Sequence, residues 1–144
     1  MVNIGADINI QSSEWDYSGT PLHLAARYGH INVVEYLFNK NADINQKEKS
    51  DCTPLHYAAK YGHLNVVDFL VSKGADINSF SRGSVFSGTP IHFASRNGHY
   101  DVVEYFVKNK ADINAKNKDG NTPIRVASVN GFLRIVGLLK KNGA

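Results

Sequence analysis

Two helical spacings of apolar residues alternate along this 144-residue chain. In the first, Leu22, Ala25 and Ala26 lie three and four residues apart, which gathers small and apolar groups on one side of a short helix. Thr20-Pro21 predicts its start: the Thr hydroxyl can cap free backbone N–H groups, and Pro sits where its missing N–H costs nothing. Gly29 predicts its end, because glycine accepts the left-handed conformation of a helix stop. In the second spacing, "NVVEYLF" (32–38) sets Val33, Val34, Leu37 and Phe38 at helical positions. In a later copy Asp101 and Glu104 are expected in the first turn, where the helix dipole favours negative charge. Between these helical pairs run polar, turn-rich segments such as "NAKNKDGN" (114–121).

The whole arrangement repeats. Thr20-Pro21-Leu22-His23 returns as Thr53-Pro54-Leu55-His56, Thr89-Pro90-Ile91-His92 and Thr122-Pro123-Ile124-Arg125. Ala-Asp-Ile-Asn falls at 6–9, 42–45, 75–78 and 111–114. Gly62, Gly98 and Gly131 take the place of Gly29. The distance from each Thr to the following Asp is constant, whereas the distance from Asp to the next Thr alternates between a longer and a shorter value. A body of fixed length is packed, and a connector of variable length lies at the surface. Each unit is therefore expected to be helix, turn, helix and a hairpin-like connector. One pair of helices cannot bury its own apolar face, so stability has to come from stacking neighbours.

At these residues the chain resembles the ankyrin repeat family. Residues 20–43 and 53–76 follow the family pattern T-P-L-H-x-A-A-x-x-G-H, then V-V, then G-A-D, almost letter for letter. The resemblance implies an all-α repeat solenoid of stacked helix-turn-helix units joined by hairpin-like connectors. Its domain spans 1–144, with a partial repeat at 1–9 and repeats at about 10–45, 46–78, 79–114 and 115–144. It implies a protein-binding module without catalysis or cofactor, whose partners meet the hairpin tips and the concave face of the first helices. The fourth repeat departs most: Arg125 replaces the His, Ser128 an Ala and Phe132 the turn His, and Gly137 falls within the second helix. Both ends of the chain stop inside the repeat motif, so a segment of a longer array is expected. Leu138, Leu139, Val129 and Phe132 would then be covered in part by a further repeat.

Composition adds little against this reading. The apolar fraction of 42% is ordinary for a folded domain, and the net charge is +3. No apolar run approaches the ~18 residues of a membrane span, and no secretory leader is recognisable. The lone Cys52 excludes an intrachain disulfide and fits an intracellular, cytoplasmic setting. It is expected to be a surface bystander in a connector. The six histidines all recur with the repeat: His23, His56 and His92 in the T-P-[L/I]-H position, His30, His63 and His99 after the turn glycine. Zinc needs three or four ligands converging on one point. Histidines at opposite ends of a helix do not offer that, so no metal is expected. The resemblance instead makes them structural, bonded to backbone between neighbouring repeats. No nucleophile–base arrangement and no glycine-rich phosphate loop is present either.

Candidate contacts are the positions that vary inside the fixed motif. The two residues before each turn glycine are Arg27-Tyr28, Lys60-Tyr61, Arg96-Asn97 and Val129-Asn130. Stacked in register, they would form a cationic ladder beside an aromatic-to-polar one, with the Tyr and Arg content of interface hot spots. The two long connectors, "SSEWDYSG" (12–19) and "SRGSVFSG" (81–88), bring Trp15, Tyr17, Val85 and Phe86 near their tips, as a pair of prongs. The short connectors "QKEKSD" (46–51) and "AKNKDG" (115–120) read as plain polar turns. The expected partner is another protein and the expected state a monomer unless open ends stack. An anionic ligand such as RNA or a lipid headgroup on the cationic ladder is the alternative. Nucleic acid is disfavoured by the small basic excess and the interspersed acids.

Overall fold

The computed structural model describes residues 6–12 and 18–144. Trp15 and Tyr17 lie outside them. Among the described residues the chain forms eight helices in four helix-turn-helix pairs. The pairs are α1 (Pro21–Tyr28) with α2 (Ile31–Asn39), α3 (Pro54–Tyr61) with α4 (Leu64–Ser72), α5 (Pro90–Asn97) with α6 (Tyr100–Lys108), and α7 (Pro123–Val129) with α8 (Leu133–Lys141). Each first helix packs on the next first helix, and each second helix on the next second helix, so the pairs stack into two layers. This is the all-α solenoid that the repeat implies.

The same chemistry builds each unit. Pro occupies the first turn of α1, α3, α5 and α7, behind a Thr in extended conformation. Gly29, Gly62 and Gly98 end α1, α3 and α5 in the left-handed region. In α7 that role is displaced: Asn130 closes the helix and Gly131 takes the positive φ. Only Asp101 falls in the first turn of α6; Glu104 sits a turn further on, where Lys108 pairs with it at 3.3 Å. Helix α8 runs unbroken through Gly137.

The core runs the length of the stack. Leu22, Leu55 and Ile91 hold equivalent buried positions on the first helices, and Val34, Val67 and Val103 do so on the second. Paired alanines, Ala25-Ala26 and Ala58-Ala59, are buried where first helices meet. Side chains this small let the backbones approach closely at native packing density. In the third pair the second alanine is replaced by Ser95, fully buried with its hydroxyl unpartnered. A buried hydroxyl without a partner costs about 1–3 kcal/mol. Ser95→Ala should therefore raise the urea midpoint by an amount worth about 1 kcal/mol or more; an unchanged or lower midpoint would show that the hydroxyl is satisfied. The fourth pair leaves Val129 and Leu133 strongly exposed, while Ile135 and Leu139 are buried.

Five of the six histidines act as the joints between units. Thr20 N–H donates to His23 Nδ1 at 3.1 Å, and His23 Nε2 lies 3.0 Å from the carbonyl of Cys52 in the next unit. His56 makes the same pair of contacts to Thr53 and Gly88, and His92 to Thr89 and Asn121. An accepting Nδ1 leaves the proton on Nε2, which donates to the carbonyl. His63 and His99 reach backwards, to the carbonyls of Arg27 and Lys60. Asn9, Asn45 and Asn78 add a parallel ladder, each accepting from the backbone N–H of Asp43, Asp76 or Asp112 one unit on.

Candidate functional site

The short connectors are not plain polar turns. In the second, Glu48 is buried, and its Oε1 accepts the N–H groups of Ser50 and Cys52. Asn117 does the same in the fourth connector for Asp119 and Asn121. Each uses a buried acceptor to hold a tight turn, which a count of polar letters cannot reveal. The other oxygen of Glu48 accepts from Ser18 in the first connector, so neighbouring tips are tied together.

Cys52 is likewise not a surface residue. It is only 8% exposed and lies 3.1 Å from the hydroxyl of Ser81. Burial pushes its thiol up to about 11, which keeps it protonated and unreactive at neutral pH. The preceding turn and the next connector close over it.

The third connector is anchored on both sides. Ser81 and Gly88 exchange backbone hydrogen bonds across its base. Arg82 N–H and Ser81 Oγ both donate to the carbonyl of Ser50, and Lys118 Nζ donates to the carbonyl of Gly83. At the tip the two expected prongs diverge. Val85 is 89% exposed. Phe86 instead folds back: its ring meets Phe93 of α5 edge-on at 4.9 Å, and the Arg96 guanidinium covers it at 4.5 Å. An aromatic ring loses more by standing in water than by packing on an apolar neighbour, so the prong reading fails for Phe86.

That fold-back creates a groove of about 340 Å³ between the connector tips and the first helices. Tyr57 and Lys60 from α3, Phe93, Arg96 and Asn97 from α5, and Val85 and Phe86 from the tip line it. Five of these, Lys60, Val85, Phe86, Arg96 and Asn97, stood out in the sequence. Tyr57 and Phe93 did not, although they occupy the position after the motif His, which reads Leu24, Tyr57, Phe93 and Val126 through the four units. Their variation within a fixed motif was the available signal.

The ladder is in register. The Arg27 guanidinium lies 5.5 Å from the ring centre of Tyr61, one unit on, and the Lys60 ammonium lies 5.3 Å from the same ring. Tyr61 therefore has two cations over its ring and keeps 38% of its surface exposed. Tyr28 is 58% exposed and stacks on His30. Asn97 is exposed and folds along its own helix, its Nδ2 donating to the carbonyl of Phe93 at 2.8 Å. Among the described residues no group of three His, Cys, Asp or Glu could hold a metal ion, and no helix is long and apolar enough to cross a membrane.

A family model of ankyrin repeats in three copies matches residues 1–81, and a second, of many copies, matches 73–127. The chain belongs to the ankyrin repeat family. Ankyrin repeats generally mediate protein–protein interaction and form non-enzymatic binding scaffolds. Among curated proteins, palmitoyltransferase AKR1 of Lachancea kluyveri is 42% identical over 43 residues, 30% of this chain and 6% of that protein. Ankyrin repeat and SOCS box protein 12 of the mouse is 52% identical over 33 residues, 23% of this chain and 11% of that protein. The chain thus spans only a small part of each relative's length, and the matches are of the size of single ankyrin repeats.

Proposed function

We propose that the chain is a non-catalytic recognition domain spanning 1–144, which binds a partner protein through its connector tips and the concave face of its first helices. The observation that carries this reading is a division of labour among side chains. Residues shared by the units are consumed in joining them: His23, His56 and His92 bond to neighbouring carbonyls, and Asn9, Asn45 and Asn78 to neighbouring N–H groups. Residues that differ from unit to unit, Arg27, Tyr28, Lys60, Tyr61, Val85, Phe86, Arg96 and Asn97, gather instead along one face beside an open groove. Trp15 and Tyr17 of the first long connector belong to the same proposed surface. The reduced, buried thiol is compatible with an intracellular, cytoplasmic setting.

The test is a pull-down with mass spectrometry to identify the partner, followed by titration against Tyr61→Ala. Loss of an exposed aromatic at an interface costs about 1–3 kcal/mol of affinity. The melting transition should barely move, since the ring is exposed and meets the cationic ends of Arg27 and Lys60. A variant that unfolds while its folded fraction binds normally would make Tyr61 structural and defeat the reading.

A further inference from the structure

The layer of first helices carries charge of one sign. Helices α1, α3, α5 and α7 carry Arg27, Lys60, Arg96 and Arg125 and no Asp or Glu. The second helices mix signs, with Glu35, Asp68, Asp101 and Glu104 alongside Lys108, Arg134, Lys140 and Lys141. Two carboxylates of the second connector, which flank the groove-lining Ser50 and Cys52, are already engaged: Glu48 is buried under three donors, and Asp51 pairs with Arg82 at 3.4 Å. The groove is lined by apolar groups (Tyr57, Val85, Phe86, Phe93) interleaved with neutral polar ones (Ser50, Ser84, Asn97), and its charged lining residues are of one sign (Lys60, Arg96). Its volume of about 340 Å³ is at the small end of ligand pockets, enough for one or two side chains of an extended segment.

Aromatic content beside positive charge also describes single-stranded nucleic-acid binders, but those stack bases on open ring faces. Here the faces are taken. Phe93 is only 6% exposed, and the ring of Phe86 meets Phe93 on one side and the Arg96 guanidinium on another. Arg96, positioned over the Phe86 ring, is pre-organised to bind a carboxylate with its planar fork. We propose that this groove selects an extended acidic segment of a partner protein. One apolar or aromatic side chain of that segment seats among Tyr57, Val85 and Phe86, with flanking carboxylates on Lys60 and Arg96. The proposal rests on the protein-recognition reading above and adds the chemistry of what is recognised.

A random dodecapeptide display library, panned on the wild-type chain and on the Lys60→Glu/Arg96→Glu double variant, tests it. Both chains are first matched for helicity and melting. The expected result is a wild-type consensus of Asp and Glu around one large apolar residue. An enriched peptide, labelled with fluorescein, should bind the double variant at least tenfold more weakly. It should lose a similar factor when its apolar residue becomes Ala, and a labelled oligouridine should not compete with it. A consensus lacking acids, or one bound equally by the double variant, overturns the acidic selection while leaving peptide recognition standing. No enrichment on either chain, or oligouridine binding that collapses with added salt, overturns the recognition reading as well.

Discussion

Lowering the pH from 7 to 5 should weaken this fold by about 2 kcal/mol through His56 alone. His56 is fully enclosed, and burial pulls its imidazole down to about 3, while its Nδ1 already accepts the N–H of Thr53. Protonation would force Nδ1 to become a donor facing a donor. The unfolded chain has no such constraint and takes up the proton near 6.5. Between those two values the unfolded state holds more protons than the folded one, so stability falls as pH falls, by about 1.4 kcal/mol per pH unit. His23 and His92 are lowered by burial in the same direction and steepen the slope. Carboxylates ionise mostly below pH 5, so the interval from 6.5 to 5 reports the histidines. Urea melts at pH 7, 6 and 5 provide the measurement. His56→Asn should lower stability at pH 7 yet flatten the dependence. Equal midpoints at pH 7 and 5, or a His56 ring signal titrating near 6.5, would contradict the account.

The same residue shows what was legible in the sequence. That His23, His56 and His92 are structural followed from their recurrence with the repeat and from the family it resembles. Each helix start and stop was written in Thr-Pro and Gly, because those residues act through local backbone geometry. The connectors were harder. Glu48 reads as one more charged letter in a polar run, and only the folded turn shows two N–H groups converging on it. Cys52 reads as exposed because its cover, Ser81, arrives 29 residues later. Phe86 reads as a prong because the groove wall that draws it back, Phe93, belongs to another segment. Features set by one unit could be read from that unit, and features set by the approach of two units could not. The candidate face lies between these cases. Its ladder followed from the period, as the cross-unit contact of Arg27 with Tyr61 shows. Its groove required the third connector's three extra residues to fold in one direction.

Approach between units also sets the second large effect. Gly62→Ala should destabilise the chain by clearly more than Gly131→Ala, although both glycines hold nearly the same left-handed backbone, φ 76° and 77°. A side chain at either position meets the same local strain, roughly 1 kcal/mol. At Gly131 nothing lies within 4 Å of the added carbon. At Gly62 that carbon would collide with Nδ1 of His99, closer than real contacts allow. The His99 ring cannot swing away freely, because its Nε2 lies 2.8 Å from the Lys60 carbonyl. Alanine there must break that joint or push the third unit off the second. The expected cost is about 2–4 kcal/mol, the strain plus the overpacking of a close-packed contact. A double-mutant cycle with His99→Ala separates the two parts. Removing the ring should return the Gly62→Ala penalty to the value seen at Gly131. Purely additive losses would show that Gly62 is required for its backbone conformation alone, and that the close approach of His99 carries no energy.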